Sequence, residues 1–223
     1  MTLKANAQQV FDKVSQACQA AGVPESSVKV IAVTKYVDSS ITKELIDAGA
    51  TDLGENRVDR FLEKKTQLKD EHVKWHFIGS LQRRKVKDVI NEVDYFHALD
   101  SLKLAAEIQK RANRPIKCFI QVNISKEESK HGFQVEELEL VLPELATYTN
   151  IELVGLMTMA PFDADPTTIK AIFDQTEALR QTIQHQGWAN MPMTELSMGM
   201  SQDYPLAIAA GATYVRIGTA FFK

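Results

Sequence analysis

Two groups of residues in this chain have the types that chemistry needs. The first is Lys35, which closes the apolar run Ile31-Ala32-Val33-Thr34. A lysine at the end of an apolar strand is expensive to bury as a cation. Desolvation there favours the neutral amine, the form that attacks carbonyl carbons and forms Schiff bases. The plainer reading is a strand-end lysine whose ammonium snorkels to water. The second group joins Ser197-Met198-Gly199-Met200-Ser201 to Ile217-Gly218-Thr219. Small residues ahead of a helix start leave backbone N–H groups facing outward, where they hold anions, and Thr219 adds a hydroxyl. Taken together and in this order, the two stretches point to a phosphate site. Taken singly, Ser197 and Ser201 are helix caps and Gly218 is a turn.

Other polar or soft residues fall near the ends of apolar runs, namely Asn56, His76, Ser80, Asn123 and Met157. A mouth built from strand ends would gather them. His76 stands in an apolar strand, where a histidine is more often a satisfied core residue than a catalyst. Arg216 also lies within an apolar strand. An unpaired buried guanidinium is not tolerated, so it faces the mouth or pairs with a carboxylate such as Glu195. The run Arg83-Arg84-Lys85 with Lys87 reads as a solvated helix face, with contact to a ligand phosphate or nucleic acid as the alternative.

Something must position these groups. Apolar runs at 28–34, 51–54, 74–78, 95–98, 116–122, 151–156, 195–198 and 213–217 read as eight strands. Amphipathic stretches at 40–48, 58–69, 82–91, 102–113, 135–148, 166–186 and 203–210 fill the gaps, and a further helix at 3–21 comes first. Strict alternation calls for a parallel sheet covered by helices. Eight strands predict closure into a (β/α)8 barrel of the TIM type with an extra N-terminal helix. A doubly wound open sheet is the alternative. In such barrels chemistry sits at the C-terminal strand ends, with phosphate bound after strands seven and eight. That is where Lys35, Ser201, Gly218 and Thr219 fall.

The 223 residues suit one barrel domain over 1–223. Net charge is −3, from 26 basic and 29 acidic residues, so no bulk field attracts nucleic acid or a membrane. No apolar run has membrane-spanning length and the start lacks a signal-peptide core, which makes the cytoplasm the expected location. Cys18 and Cys118 have no metal-type spacing and read as buried free thiols. No long apolar surface stripe stands out, and a monomer is expected. The chain has no P-loop, HExxH, GxSxG, or GxGxxG after a strand, which removes support for nucleotide, zinc-peptidase and serine-hydrolase chemistry.

In combination, Ala32-Val33-Thr34-Lys35, Gly54-Glu55-Asn56, Trp75-His76-Phe77-Ile78-Gly79, Gly155-Leu156-Met157, Ser197-Met198-Gly199-Met200-Ser201 and Val215-Arg216-Ile217-Gly218-Thr219 resemble the pyridoxal phosphate homeostasis protein family, which is related to the N-terminal barrel of alanine racemases (fold type III). The resemblance runs from about Val28 to the end. It implies pyridoxal 5'-phosphate (PLP) held as a Schiff base on Lys35. It implies phosphate contacts from Ser201, Gly218 and Thr219, backbone help around Met200, and Arg216 facing the pyridine nitrogen. A cation cannot accept that nitrogen's proton, so PLP would be a poorer electron sink. The implied role is intracellular vitamin B6 and amino-acid balance without robust catalysis, with PLP-dependent apo-enzymes as recipients. Three places depart from the family pattern: Arg57, Arg84, and the ending Ala220-Phe221-Phe222-Lys223. None of them touches the implied cofactor groups.

Two other functions use the same residues. An amino-acid racemase would need a second acid/base group, for which Tyr36 and Tyr204 are the candidates, and racemases of this barrel type draw that tyrosine from an added β-rich domain. A Schiff-base aldolase acting on a sugar phosphate would use Lys35 and the phosphate loops without PLP. A barrel with no cofactor at all leaves both loops unexplained.

Overall fold

Each apolar run of the sequence becomes a strand that pairs in parallel with the next, and the last strand returns to the first. The computed structural model describes residues 2–127 and 131–223. Strands β1 (Lys29–Val33), β2 (Asp52–Glu55), β3 (Lys74–Phe77), β4 (Tyr95–Leu99), β5 (Ile116–Gln121), β6 (Ile151–Met157), β7 (Glu195–Met200) and β8 (Tyr214–Ile217) form one closed barrel in sequence order. The open-sheet alternative is thereby excluded. Closure removes the exposed edges that an open sheet would leave. Around the barrel lie α2 (Ser39–Asp47), α3 (Val58–Gln67), α4 (Val86–Val89), α5 (Leu102–Arg111), α6 (Leu138–Leu145), α7 (Pro166–Gln184) and α8 (Tyr204–Ala209). Helix α1 (Leu3–Ala21) precedes the barrel and α9 (Thr219–Phe222) follows it.

Side chains alternate along each strand, so every strand feeds two layers. Ile31, Phe119, Val154, Met157 and Tyr214 form the apolar cluster inside the barrel. Residues between them, such as Ala32, Leu53, Trp75 and Phe77, pack outward against the helices. On α3, Phe61 lies edge-on to Trp75 and Phe77, at centroid distances of 5.4 and 6.2 Å. Both faces of the sheet are buried, which is why the strands read as apolar runs rather than as clean alternation.

Three irregularities break the register. One extra residue sits in β4 between Phe96 and Leu99, one in β6 opposite Cys118 and Phe119, and one in β7 between Ser197 and Met200. Bulges re-aim side chains, and they collect beside functional sites and barrel rims. The β7 bulge explains why that strand runs to Met200, two residues beyond the expected end. Residues 82–91 also differ from expectation. Arg83–Lys85 form a 3-10 turn and only Val86–Val89 are α-helical, so Arg83, Arg84 and Lys85 lie on a turn rather than a helix face.

Helix α1 is capped by Thr2, whose hydroxyl accepts the Ala5 N–H, and by Gly22 at φ 70°. It packs on α8 and α9, and the Asn6 side-chain amide donates to Phe221 O (3.2 Å) and Lys223 O (2.7 Å). This ties the chain's end beneath its start, next to the strands that carry the candidate phosphate loops. Cys18 and Cys118 are buried free thiols, as their spacing suggested. Among the described residues no helix is long and apolar enough to cross a membrane, and no His/Cys/Asp/Glu cluster could hold a metal ion.

Candidate functional site

Lys35 follows the last residues of β1, and its backbone is set by what holds Thr34. The Thr34 N–H donates to Gly54 O at 3.1 Å. The Thr34 hydroxyl donates to Glu55 Oε1 at 2.6 Å, and Thr34 O accepts from Lys64 Nζ at 2.6 Å. Lys64 and Glu55 form an ion pair with both side chains almost wholly buried. Strand β2 and helix α3 thus clamp the residue before Lys35 from two sides. Lys35 itself is half-buried, with its amine 4.9 Å from the Tyr36 ring centroid.

Strand β8 lies beside β1 with Ala32 opposite Ile217, and Gly218 packs against Val33. The Ser201 hydroxyl accepts the Gly218 N–H at 3.3 Å, and the Thr219 hydroxyl lies 3.4 Å from it. Ser201, Gly218 and Thr219 therefore converge on the strand ends that flank Lys35. Gly199 makes the turn possible. Its φ is +88°, and a Cβ there would fall 2.6 Å from Ala207 Cβ and 3.0 Å from Tyr204 Cα. The Gly218 N–H is taken by Ser201, so two hydroxyls at these strand ends and the primary amine that follows β1 are the groups suited to a ligand that carries both an anionic phosphate and an aldehyde. The donor set fits PLP.

Some expected contributions are corrected here. The Met200 N–H is not free for an anion, because it donates to Asp203 Oδ1. Burial pushes the Asp203 carboxyl up, against the lowering effects of the Met200 N–H and the Arg216 charge. Helix α8 has six residues and α9 has four, so the cradle rests on hydroxyls and local N–H groups rather than on a long helix dipole.

Arg216 points inward and is buried. Its partner is not Glu195: Nη1 donates to Ser197 Oγ at 2.7 Å and Nη2 to Thr158 O at 2.9 Å. Burial pulls its pKa down to about 10, opposed by Asp203, so the guanidinium stays cationic at neutral pH. Ser197 is fully buried, and its hydroxyl also meets His97 Nδ1 at 2.9 Å. His76 lies inside the barrel rather than at the mouth. Its ring stacks on Tyr95 at 4.7 Å, and its two nitrogens meet His97 Nε2 and Asp52 Oδ1, each at 2.9 Å. Neither Ser197 nor His76 keeps a free polar atom for a ligand. Met157 belongs to the interior apolar cluster.

Asn56 and Ser80 follow β2 and β3, which lie on the other side of β1 from β8. They line a cleft of about 580 Å³ between the loops after β2 and β3, together with Arg57, Gln82 and Lys85. Gly79 allows the two loops to touch, since a Cβ there would sit 2.2 Å from Asn56 O. Ser201 and Tyr204 edge a recess of about 120 Å³ against α1. Tyr36 is 82% exposed, with the Lys35 amine over its ring. Sequence reasoning passed over Asp52, His97 and Thr158. The available signal was polarity at inward positions of otherwise apolar strands, as with His76.

The model of the family described as "Alanine racemase, N-terminal domain" matches residues 3–223. A pyridoxal phosphate homeostasis protein of Aquifex aeolicus is 39% identical over 216 residues, covering 96% of this chain and 94% of that protein. The crystal structure of an unknown protein from Bifidobacterium adolescentis superposes with a TM-score of 0.94 at 34% identity, over 99% of this chain and 94% of the other. The PipY protein of Synechococcus elongatus, solved with PLP bound, superposes with a TM-score of 0.87 at 33% identity, over 98% and 100% of the two chains. Full-length similarity together with the closed barrel places this chain in the alanine racemase N-terminal domain family, among the pyridoxal phosphate homeostasis proteins.

Proposed function

We propose that this protein binds PLP at the C-terminal mouth of its barrel and serves intracellular PLP and amino-acid homeostasis rather than robust catalysis. The observation that supports this is the contact of Ser201 with Gly218 and Thr219 at the ends of β7 and β8, with β8 paired to the strand that Lys35 follows. The phosphate would be held by the Ser201 and Thr219 hydroxyls, with the Gly218 N–H joining them once Ser201 turns to the ligand. Lys35 would supply the primary amine that faces the aldehyde of the bound group. When bound, PLP supplies a conjugated ring able to withdraw electrons from an attached amine. Arg216, as a buried cation, offers N–H donors and no acceptor.

The surrounding groups favour holding over turnover. Tyr36 points into solvent, and Tyr204 edges the recess against α1, so neither is set as a second acid/base group. We further propose that loading is reversible and that PLP-dependent apo-enzymes receive the cofactor from a monomeric, cytoplasmic protein. The test is absorbance of the purified protein before and after borohydride, followed by peptide mapping. A reduced pyridoxyl group on the Lys35 peptide is expected, and it should vanish in Lys35→Ala. Retention of covalent PLP by Lys35→Ala would overturn the assignment.

A further inference from the structure

Five polar side chains inside the barrel form one unbroken hydrogen-bonded series. Asp52 Oδ1 meets His76 Nε2, His76 Nδ1 meets His97 Nε2, and His97 Nδ1 meets Ser197 Oγ, each at 2.9 Å. Ser197 Oγ meets Arg216 Nη1 at 2.7 Å. The series starts on β2, passes through β3 and β4, and crosses the interior to β7 and β8. Asp52, His76, His97, Ser197 and Arg216 are all buried among apolar and aromatic neighbours.

The protons on this series can be assigned. A guanidinium only donates, so Ser197 Oγ accepts from Arg216. Among the described residues the Ser197 hydroxyl has one other neighbour, His97 Nδ1. A buried hydroxyl hydrogen without an acceptor is costly, so His97 Nδ1 must accept it. His97 is then protonated on Nε2 and donates to His76 Nδ1. His76 is in turn protonated on Nε2 and donates to the Asp52 carboxylate. Every hydrogen points from Arg216 toward Asp52. Burial, with the Arg216 guanidinium adding to it, holds His97 well below the ordinary imidazole range, which agrees with a neutral ring. The Asp52 carboxylate also accepts from the Thr51 hydroxyl at 2.7 Å.

We propose that Asp52, His76, His97 and Ser197 are a one-directional positioning relay that fixes Arg216 as a hydrogen-bond donor toward the mouth. Two of the guanidinium's five N–H groups are used, on Ser197 and on Thr158 O, which leaves three. Fixing two of them sets the plane in which the others point. The bulges in β4 and β7 fall at His97 and just beyond Ser197, where the alternation must change for the links to meet. The functional consequence rests on the reading that PLP occupies the mouth, but the proton assignment does not.

The test is therefore in two parts. On the cofactor-free protein at neutral pH, nitrogen-15 chemical shifts and the scalar coupling across His76 Nδ1 and His97 Nε2 report the tautomers. Neutral rings protonated on Nε2 at both positions are expected. An Nδ1-protonated ring or an imidazolium at either position overturns the relay, from the wild-type protein alone. Asp52→Leu removes the terminal acceptor, so one buried hydrogen loses its partner, either His76 Nε2–H or, with both rings switched to Nδ1–H, the Ser197 hydroxyl; in either case the two rings should share one tautomer, because a mixed pair sets two hydrogens or two lone pairs face to face between them. Asp52→Asn keeps an acceptor oxygen and should preserve the wild-type pattern. A folded Asp52→Leu protein whose two rings hold different tautomers also overturns the relay.

The second part is PLP titration. Asp52→Leu should bind PLP about tenfold more weakly, the loss of one ordinary hydrogen bond's worth of orientation, with Asn restoring affinity. A folded Asp52→Leu protein with unchanged affinity would overturn the coupling to Arg216. A wild-type protein that binds no PLP would refute the proposed function instead, and the tautomer measurement would still decide the relay.

Discussion

Replacing Lys64 by methionine should cost this fold more than its distance from the mouth suggests. Lys64 and Glu55 are paired with side chains only 2% and 0% exposed. Methionine matches the lysine stem in length but carries no charge, so Glu55 keeps a buried carboxylate without its cation. Oε2 of that carboxylate already has no partner. Breaking a buried pair from one side costs about 3–5 kcal/mol, because the remaining charge is uncompensated. The Thr34 hydroxyl still donates to Oε1, which places the expected loss toward the lower end of that range. For a chain of this size each kcal/mol moves the midpoint by about 2–4 °C, so Tm should fall by roughly 6–20 °C. Urea unfolding followed by circular dichroism at pH 7 gives the free energy directly. Lys64→Met combined with Glu55→Leu removes both charges and should recover most of the loss. A single-mutant loss below about 1 kcal/mol, or a double mutant no more stable than the single, would refute the ion pair as the clamp beneath Lys35.

Other outcomes follow from the same geometry. Gly199→Ala forces a Cβ to within 2.6 Å of Ala207 Cβ at φ +88° and should destabilise by about 1–3 kcal/mol in urea unfolding; an unchanged midpoint would remove the tight turn from the argument. Ser201→Ala removes the acceptor of the Gly218 N–H and a phosphate donor, so PLP retention should weaken about 10- to 100-fold while borohydride trapping on Lys35 persists at high PLP. Equal retention would dismiss the cradle. At Asp52, burial raises the carboxyl, but hydrogen bonds from His76 and Thr51 outweigh it and hold the pKa below the usual value. A depressed carboxyl contributes stability above its unfolded pKa of about 4 and loses it as pH falls through the lower folded value. Asp52→Asn should therefore flatten the loss of stability below about pH 4, and the same slope as wild type would contradict the assignment.

Much of this protein was legible in one dimension. Eight apolar runs separated by helical stretches determined the number and direction of strands, because parallel strands buried on both faces must be apolar throughout. Lys35 after β1, and the small residues after β7 and β8, could be placed at one end of the barrel for the same reason: alternation puts every strand's C-terminus on that side. Spacing carries no information about bulges, which insert one residue without changing composition. The β7 bulge carried that strand to Met200, and Met200's N–H was lost to Asp203. Inward direction was equally hidden. His76 and Ser197 looked like mouth residues because they stand near strand ends, yet side-chain alternation turns both into the interior. There each finds partners on strands distant in sequence, Asp52 and His97 for one, His97 and Arg216 for the other. Local sequence fixes which elements form, since propensity and periodicity act over a few residues. Only closure of the barrel decides which buried polar groups meet, because those pairings join residues 19 to 100 positions apart.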